Sequence, residues 1–93
     1  MSIRSLSLLE FKRLLVESLK IQGLEPESIA DDEPLIGGRL GLDSIDALEI
    51  VISLERRFGE RIRVDELDAE AWRSVAGIYH GILRQLARRG NPR

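Results

Sequence analysis

The chain has no cysteine and few aromatic residues. Its 93 residues include no Cys, one Trp, one Tyr and two Phe. Without cysteine there is no disulfide framework, no thiolate nucleophile and no cysteine metal site, which is compatible with a reducing cytoplasm. No apolar run approaches the about 18 residues that a membrane span requires, and the first residues lack a basic region followed by an apolar core. We therefore expect neither a stable membrane insertion nor a secretion signal.

The length and the hydrophobic content predict one small domain. A chain of 93 residues with 43% hydrophobic residues is too short for two cores, so residues 1–93 are interpreted as a single domain. With so few aromatics, the core must consist mainly of Leu, Ile and Val. We expect residues 5–87 to be folded and residues 88–93 to form a flexible tail.

The small net charge of −2 hides an uneven distribution along the chain. Residues 1–24 carry +2, residues 25–55 carry −8 and residues 56–93 carry +4. The basic surplus is spread over a loop and the chain end, so it does not predict a nucleic-acid interface. The acidic segment instead favours encounter with partners that have basic surfaces, an attraction that salt would screen.

The stretch from 41 to 59, GLDSIDALEIVISLERRFG, predicts a loop that leads into a helix. Asp43 is a good N-cap, and Asp46 three residues later completes a capping-box pattern. Ser44 is then the first helical residue. Because Asp43 supplies the capping oxygen, the Ser44 hydroxyl is left free and is easy to modify.

This helix has two apolar sides at 100° per residue. One side forms a core face that consists of Ala47, Ile50, Val51, Leu54 and Phe58. The other side carries Ile45, Leu48 and Ile52, with Glu49 and Glu55 alongside. Two interpretations are open: a helix buried between two others, or a docking patch with acidic residues around it. The position of Ser44 beside the second line favours the docking patch.

Two further amphipathic helices are predicted on either side of this one. Ser7 and Glu10 form a possible capping box for a first helix over residues 7–21, and Ser74 precedes a last helix with apolar residues at helical spacing. Between the central helix and the last helix, a cap at Asp65 predicts a short helix. The fold class is thus all-α, an antiparallel bundle of three main helices and one short helix.

Glycines have different predicted roles in the loop and in the last helix. Residues 23–43 form a long connection with two prolines, and several apolar residues are expected to anchor it, namely Leu24, Ile29, Leu35, Leu40 and Leu42. Gly38 and Gly41 allow tight turns before Asp43, and no GK[ST] follows that would indicate a phosphate-binding loop. Gly77 and Gly81 are expected on the side of the last helix away from its apolar residues, where each weakens the helix by about 1 kcal/mol.

No constellation of residues predicts catalysis. A serine nucleophile needs a base, and the single histidine, His80, adjoins the apolar stripe of the last helix, which favours a structural role. Nothing apolar encloses Asp43 and Asp46 to prepare them for acid–base catalysis. Four acids after the central helix, Asp65, Glu66, Asp68 and Glu70, lack metal-site spacing, so no metal is expected. The chain is not predicted to be an enzyme, and Ser44 is better interpreted as a substrate.

The run DSIDALEIVISLERRF, residues 43–58, resembles the serine motif and second helix of acyl carrier proteins. The wider run PLIGGRLGLDSIDALEIV is similar to discrete carriers of specialised type II fatty acid or polyketide systems, including aryl-polyene synthesis. The resemblance covers residues 5–87 and is strongest around Ser44.

This resemblance implies that a phosphopantetheinyl transferase attaches 4′-phosphopantetheine from coenzyme A to Ser44, and that the terminal thiol carries acyl groups as thioesters. Asp43 would cap the helix and be recognised by the transferase. The implied partner-facing residues are Ile45, Asp46, Leu48, Glu49, Ile52 and Glu55. The implied partners are ketosynthase, acyltransferase or acyl ligase and other pathway enzymes with basic docking surfaces, and the carrier would be a cytoplasmic monomer. Arg56 and Arg57 replace residues that are acidic in many housekeeping carriers, which indicates different partners.

Two alternatives remain open from the sequence. In the first, the cofactor carries an amino acid, as in peptidyl or D-alanyl carriers; Asp43 replaces the histidine common in peptidyl carriers, and EAW near Trp72 is faintly similar to D-alanyl carriers. In the second, the chain is an unmodified helical adaptor in which Ser44 only caps the helix. Whether the core opens for an acyl chain beside Val51, Leu54 and Tyr79 is also left open.

Overall fold

The computed structural model describes residues 3–19 and 23–89, without the side chains of residues 4, 19, 39 and 89. Three α-helices follow one another in the chain: α1 (Leu8–Leu19), α2 (Ser44–Phe58) and α3 (Val75–Arg89). Short 3₁₀ turns occupy Ile3–Ser5, Pro26–Ser28, Gly38–Leu40, Val64–Glu66 and Ala71–Arg73. Within the described residues there are isolated β-bridges but no strand, so the predicted all-α class is confirmed.

Local capping explains where α1 and α3 begin. The backbone N–H of Ser7 donates to Glu10 Oε1 at 2.9 Å, and the N–H of Glu10 donates to Ser7 Oγ at 3.1 Å, so the first capping box is present. Ser74 Oγ accepts from the N–H of Gly77 at 2.9 Å at the start of α3.

Helix α1 matches the prediction over residues 8–19, and residues 20–21 lie outside the described part. Helix α3 continues through Arg89, two residues into the segment predicted as a tail, and residues 90–93 are also outside the description.

The three helices share one aliphatic core, and α1 packs against both α2 and α3. The core face predicted for α2 is confirmed, since Ala47, Ile50, Val51 and Leu54 are buried and Phe58 packs against them. The other buried apolar residues are Ile3, Leu6, Phe11, Leu15, Ile29, Leu35, Leu40, Leu42, Ile62, Leu67, Ala71, Val75, Ile78, Ile82 and Leu86. A small cavity of about 10 Å³ lies among Phe11, Leu54 and Tyr79.

The long connection between α1 and α2 is held in place over most of its length. Of its predicted anchors, Leu24 is half-buried and the other four are buried. Lys12 of α1 is also buried, and its Nζ donates to the Ile29 carbonyl at 2.6 Å and to Asp31 Oδ1 at 2.8 Å. The carbonyls of Asp31 and Glu33 accept from the first N–H groups of α3. The connection therefore provides hydrogen-bond acceptors for N–H groups at the start of α3 that have no partner within the helix.

The segment between α2 and α3 differs from the short helix predicted there, because it forms two 3₁₀ turns. Asp65 does not cap a helix; its carboxylate lies 3.6 Å from the guanidinium of Arg63. Asp68 is the residue that bonds locally, since its Oδ1 accepts from the N–H of Ala71 at 3.0 Å. The backbone of Arg63 is bonded to Gln85 of α3 through both its N–H and its carbonyl. These side-chain bonds compete with a continuous α-helical ladder.

Both glycines of α3 pack against the segment that precedes this helix, a contact that the sequence did not predict. A Cβ on Gly81 would be 2.9 Å from the Ala71 Cβ, and one on Gly77 would be 3.0 Å from Ser74 Oγ. Gly81 is buried. The glycines therefore allow the turn Ala71–Arg73 to approach α3 more closely than any larger residue would permit.

The substitution Gly81→Ala is expected to destabilise the fold by about 1 kcal/mol. Better helix propensity contributes about 1 kcal/mol in its favour, whereas overpacking against the Ala71 Cβ costs about 1–3 kcal/mol. Urea unfolding measures the balance. The double variant Gly81→Ala with Ala71→Gly removes the opposing Cβ. Its free energy of unfolding should be higher, by at least about 0.5 kcal/mol, than the sum of the two single changes predicts, because residues in contact have interaction energies of about this size. A Gly81→Ala variant that is more stable than the parent would contradict the close approach.

None of the described helices is both long and apolar enough to cross a membrane. No group of three or more His, Cys, Asp or Glu side chains in the described part is arranged to hold a metal ion.

Candidate functional site

The chain reaches Ser44 through a tight turn that is fixed by buried leucines. The N–H of Gly37 donates to the carbonyl of Leu42 at 2.8 Å, which closes a loop around the 3₁₀ turn Gly38–Leu40. Gly38 and Gly41 have φ values of 59° and 67°, the left-handed region where glycine is favoured, as predicted. Leu40 and Leu42 are buried, so the backbone that leads into α2 is held against the core from both sides of Gly41.

The capping box predicted at the start of α2 is present. Asp43 Oδ1 accepts from the N–H of Asp46 at 2.8 Å, and Asp46 Oδ2 accepts from the N–H of Asp43 at 3.2 Å. Ser44 is the first residue of α2 and is exposed. Because the carboxylates carry out the capping, no described residue is hydrogen-bonded to the Ser44 hydroxyl. The structure thus presents an accessible alcohol at a rigid helix terminus.

Removal of the cap by Asp43→Ala is expected to lower the free energy of unfolding by about 1 kcal/mol, since the N–H of Asp46 loses its acceptor. Asp43→Asn keeps an acceptor at this position and should recover most of that loss. Denaturant unfolding provides the measurement. The matched control is Asp32→Ala, an exposed loop acid whose removal should change stability by less than about 0.5 kcal/mol. Equal losses for the Asp43 and Asp32 alanine variants would argue against the capping role.

The second apolar line of α2 is on the surface, which contradicts the interpretation of a helix buried between two others. Ile45 is 67% exposed, Leu48 39% and Ile52 41%. We call these three residues the apolar stripe. Glu49 is exposed beside it. A row of large apolar side chains on one exposed helix face is typical of a protein-binding surface rather than of a helix buried between two others.

The acidic residues predicted around this stripe differ in how free they are. Asp43 and Asp46 bond to each other's backbone in the capping box, although Asp43 remains exposed. Glu55 is half-buried, and its Oε2 accepts from the N–H of Ile62 at 2.7 Å. Its carboxylate therefore fixes the loop after α2. Glu49, which lies beside the apolar stripe, is exposed and has no described hydrogen bond.

His80 does not form part of this surface. It is exposed on α3, and its ring lies edge-on to that of Tyr79 with centroids 5.0 Å apart. Tyr79 is itself held by a hydrogen bond from its hydroxyl to the carbonyl of Leu6 at 2.5 Å. The structure therefore gives His80 an aromatic neighbour on α3 and no described contact with Ser44.

Sequence reasoning missed a groove of about 360 Å³ between α1 and α2. Its floor includes Phe11 and Leu14 of α1, and Arg56 and Arg57 line it at the end of α2. The amphipathic patterns of the two helices gave no signal for it, because a groove depends on how far apart two packed helices lie.

The residues at the start of α2 fit a phosphopantetheine group. Attachment needs an alcohol that a modifying enzyme can reach, and Ser44 is exposed and free of described hydrogen bonds. An attached phosphodiester would lie near the positive end of the helix dipole, which favours an anion. The apolar stripe begins one residue further along, at Ile45.

Comparison with known proteins agrees with this geometry. Residues 10–82 match the protein family described as Phosphopantetheine attachment site. Over 54 residues the chain is 41% identical to proteins named Acyl carrier protein from Bradyrhizobium sp., Nitrobacter hamburgensis and Rhodopseudomonas palustris. The aligned part covers 58% of this chain and 63% of those relatives, so less than two thirds of their length is matched. No solved structure matches the chain significantly.

The family match spans most of α1, all of α2 and about the first half of α3, and it includes the exposed serine at the start of α2. Members of this family carry 4′-phosphopantetheine as their prosthetic group. The chain belongs to the phosphopantetheine attachment-site family, in agreement with the resemblance to acyl carrier proteins around Ser44.

Proposed function

We propose that the chain is an acyl carrier protein whose 4′-phosphopantetheine arm is attached to Ser44. The observation that carries this proposal is the exposed Ser44 hydroxyl, which the Asp43 and Asp46 capping box leaves without a hydrogen bond to any described residue. When bound, the group supplies a terminal thiol that holds acyl groups as thioesters, a nucleophile that a chain without cysteine does not have. The cargo belongs to fatty acid, polyketide or related specialised lipid biosynthesis.

Each residue around Ser44 has a role in this proposal. Asp43 caps the helix and is recognised by the phosphopantetheinyl transferase, which uses coenzyme A as its substrate. Asp43 and Asp46 each oppose an attached phosphate by about 1 kcal/mol at about 4 Å in water, which keeps the phosphate solvated and the arm free to swing. The apolar stripe and Glu49 bind the transferase and the enzymes that load and extend the cargo, including ketosynthase and acyltransferase or acyl ligase.

The proposed carrier acts as a cytoplasmic monomer rather than as an enzyme. A protein that delivers a cargo to several enzymes in turn needs a docking surface that is not covered by a second subunit. The proposed binding surface, the apolar stripe, is exposed in the single chain. Size-exclusion chromatography with light scattering should give the mass of one chain for the modified protein, and a stable dimer would contradict this part of the proposal.

The test is an intact-mass measurement after incubation with coenzyme A and a broad-specificity phosphopantetheinyl transferase. The carrier function predicts a gain equal to one phosphopantetheinyl group, whereas an unmodified helical adaptor predicts an unchanged mass. Mass analysis of the thioester isolated from the native host then identifies the cargo class. A fatty or polyketide acyl group supports the proposal, and an amino acid on the thiol would instead indicate an aminoacyl carrier.

A further inference from the structure

One line of exposed residues runs along α2 from the Ser44 end to the last turn. Ile45, Glu49, Ile52 and Arg56 are spaced by four, three and four residues, so they lie on the same side of the helix. All four side chains are exposed. The line contains two apolar residues, one acid and one base, and the acid is the charge nearer to Ser44.

The two charges of this line are too far apart to neutralise each other. Glu49 and Arg56 are seven residues apart, which corresponds to about 10 Å along the helix. Ile52 lies between them. The ion pairs among the described residues involve Lys12, Arg63 and Arg73, and none of them involves Arg56. Both charges are therefore available to a partner that covers Ile52.

The polarity of the face is set partly by Glu55. This acid precedes Arg56, but its Oε2 accepts from the N–H of Ile62 at 2.7 Å and the residue is half-buried. The hydrogen bond occupies one oxygen of the carboxylate and leaves its negative charge, which the two exposed arginines at that end of the helix, Arg56 and Arg57, outweigh. The face is therefore acidic at the Ser44 end, through Asp43 and Glu49, and basic at its far end.

We propose that the enzymes served by this carrier bind α2 with a docking surface of two opposite charges. A basic group faces Glu49, apolar side chains cover Ile45 and Ile52, and an acidic group about two helical turns from the basic one faces Arg56. This inference rests on the proposed carrier function and specifies its partners. A uniformly basic docking surface meets Arg56 with like charge, and such juxtaposition disfavours the wrong partner.

The experiment uses a phosphopantetheinyl transferase with a basic carrier-docking surface as the probe, and measures kcat/KM for modification of Ser44. Arg56→Glu removes the like-charge contact and should raise kcat/KM about fivefold at low salt, a gain that should fall as salt is added. The matched control is Arg88→Glu, which makes the same change of charge in the last turn of α3 and should change kcat/KM less than about twofold, because only net charge is altered there.

A second arm tests the acidic half of the proposed surface. Basic residues of the transferase docking surface are replaced one at a time by glutamate, and each variant is paired with the wild-type chain and with Arg56→Glu. One such transferase variant should reverse the preference and modify the wild-type chain faster, as a double-mutant cycle detects. Equal effects of Arg56→Glu and Arg88→Glu, or a slower reaction with Arg56→Glu, would overturn the inference. If neither the wild type nor any variant gains the phosphopantetheinyl mass, the carrier function itself fails.

Discussion

Replacement of Ser44 by alanine is expected to abolish the gain of mass on treatment with coenzyme A and a phosphopantetheinyl transferase. The alcohol oxygen is the atom that forms the new phosphodiester bond, and alanine has no atom to replace it. Because Ser44 is exposed and Asp43 provides the cap, the fold should be unaffected, with a change in unfolding free energy within about 0.5 kcal/mol. Intact-mass spectrometry measures the modification, and denaturant unfolding measures the stability.

Two other serines provide matched controls for this loss. Ser18 is exposed on α1 and Ser53 is half-buried on α2, and both line the groove between the two helices. Ser18→Ala and Ser53→Ala should each retain the full mass gain. Retention of the gain in Ser44→Ala, or its loss in one of the control variants, would assign the attachment to another serine and would refute the proposed site.

Substitution of Gln85 by leucine is expected to cause the largest loss of stability among the changes considered, about 2–3 kcal/mol. Gln85 is 2% exposed and bonds to the backbone of Arg63 at two points. Its Oε1 accepts from the Arg63 N–H at 2.7 Å, and its Nε2 donates to the Arg63 carbonyl at 3.0 Å. Leucine leaves both backbone groups without partners and releases the segment between α2 and α3.

Urea unfolding monitored by far-UV circular dichroism measures this effect. Gln85→Glu retains an acceptor for the Arg63 N–H but loses the donor to the Arg63 carbonyl. This variant should therefore also be less stable than the parent, and the size of its loss measures the contribution of the bond to the carbonyl. Arg84→Leu changes an exposed neighbour on α3 and should shift stability by less than about 0.5 kcal/mol. A Gln85→Leu variant as stable as Arg84→Leu would show that water replaces both hydrogen bonds at no cost.

The sequence predicted most accurately those features that depend on residues three or four positions apart. The capping boxes of Ser7 with Glu10 and of Asp43 with Asp46 are closed by side chains within one helical turn of their partners. The core face of α2 follows from helical periodicity in the same way. Such features need only local backbone geometry, so the identities of neighbouring residues are sufficient to predict them.

Predictions were least accurate where the outcome depended on segments far apart in the chain. The short helix expected at Asp65 is replaced by two 3₁₀ turns because Gln85, 22 residues from Arg63, holds that backbone. No local pattern in the sequence shows that Ala71 packs directly against Gly81. Glu55 had the expected position on α2, but its bond to Ile62 depends on how the following loop folds back.

The amino-acid sequence by itself predicted three main helices, their caps, a serine at the start of α2 that the cap does not use and a resemblance to acyl carrier proteins, since each of these depends on contiguous residues. Only the tertiary structure decided that the apolar stripe is exposed, that Glu55 is bonded to the loop and that Arg56 ends the exposed line. The physical reason is that a periodic pattern shows which side chains share a face of a helix, whereas exposure and available charge depend on what the rest of the chain covers.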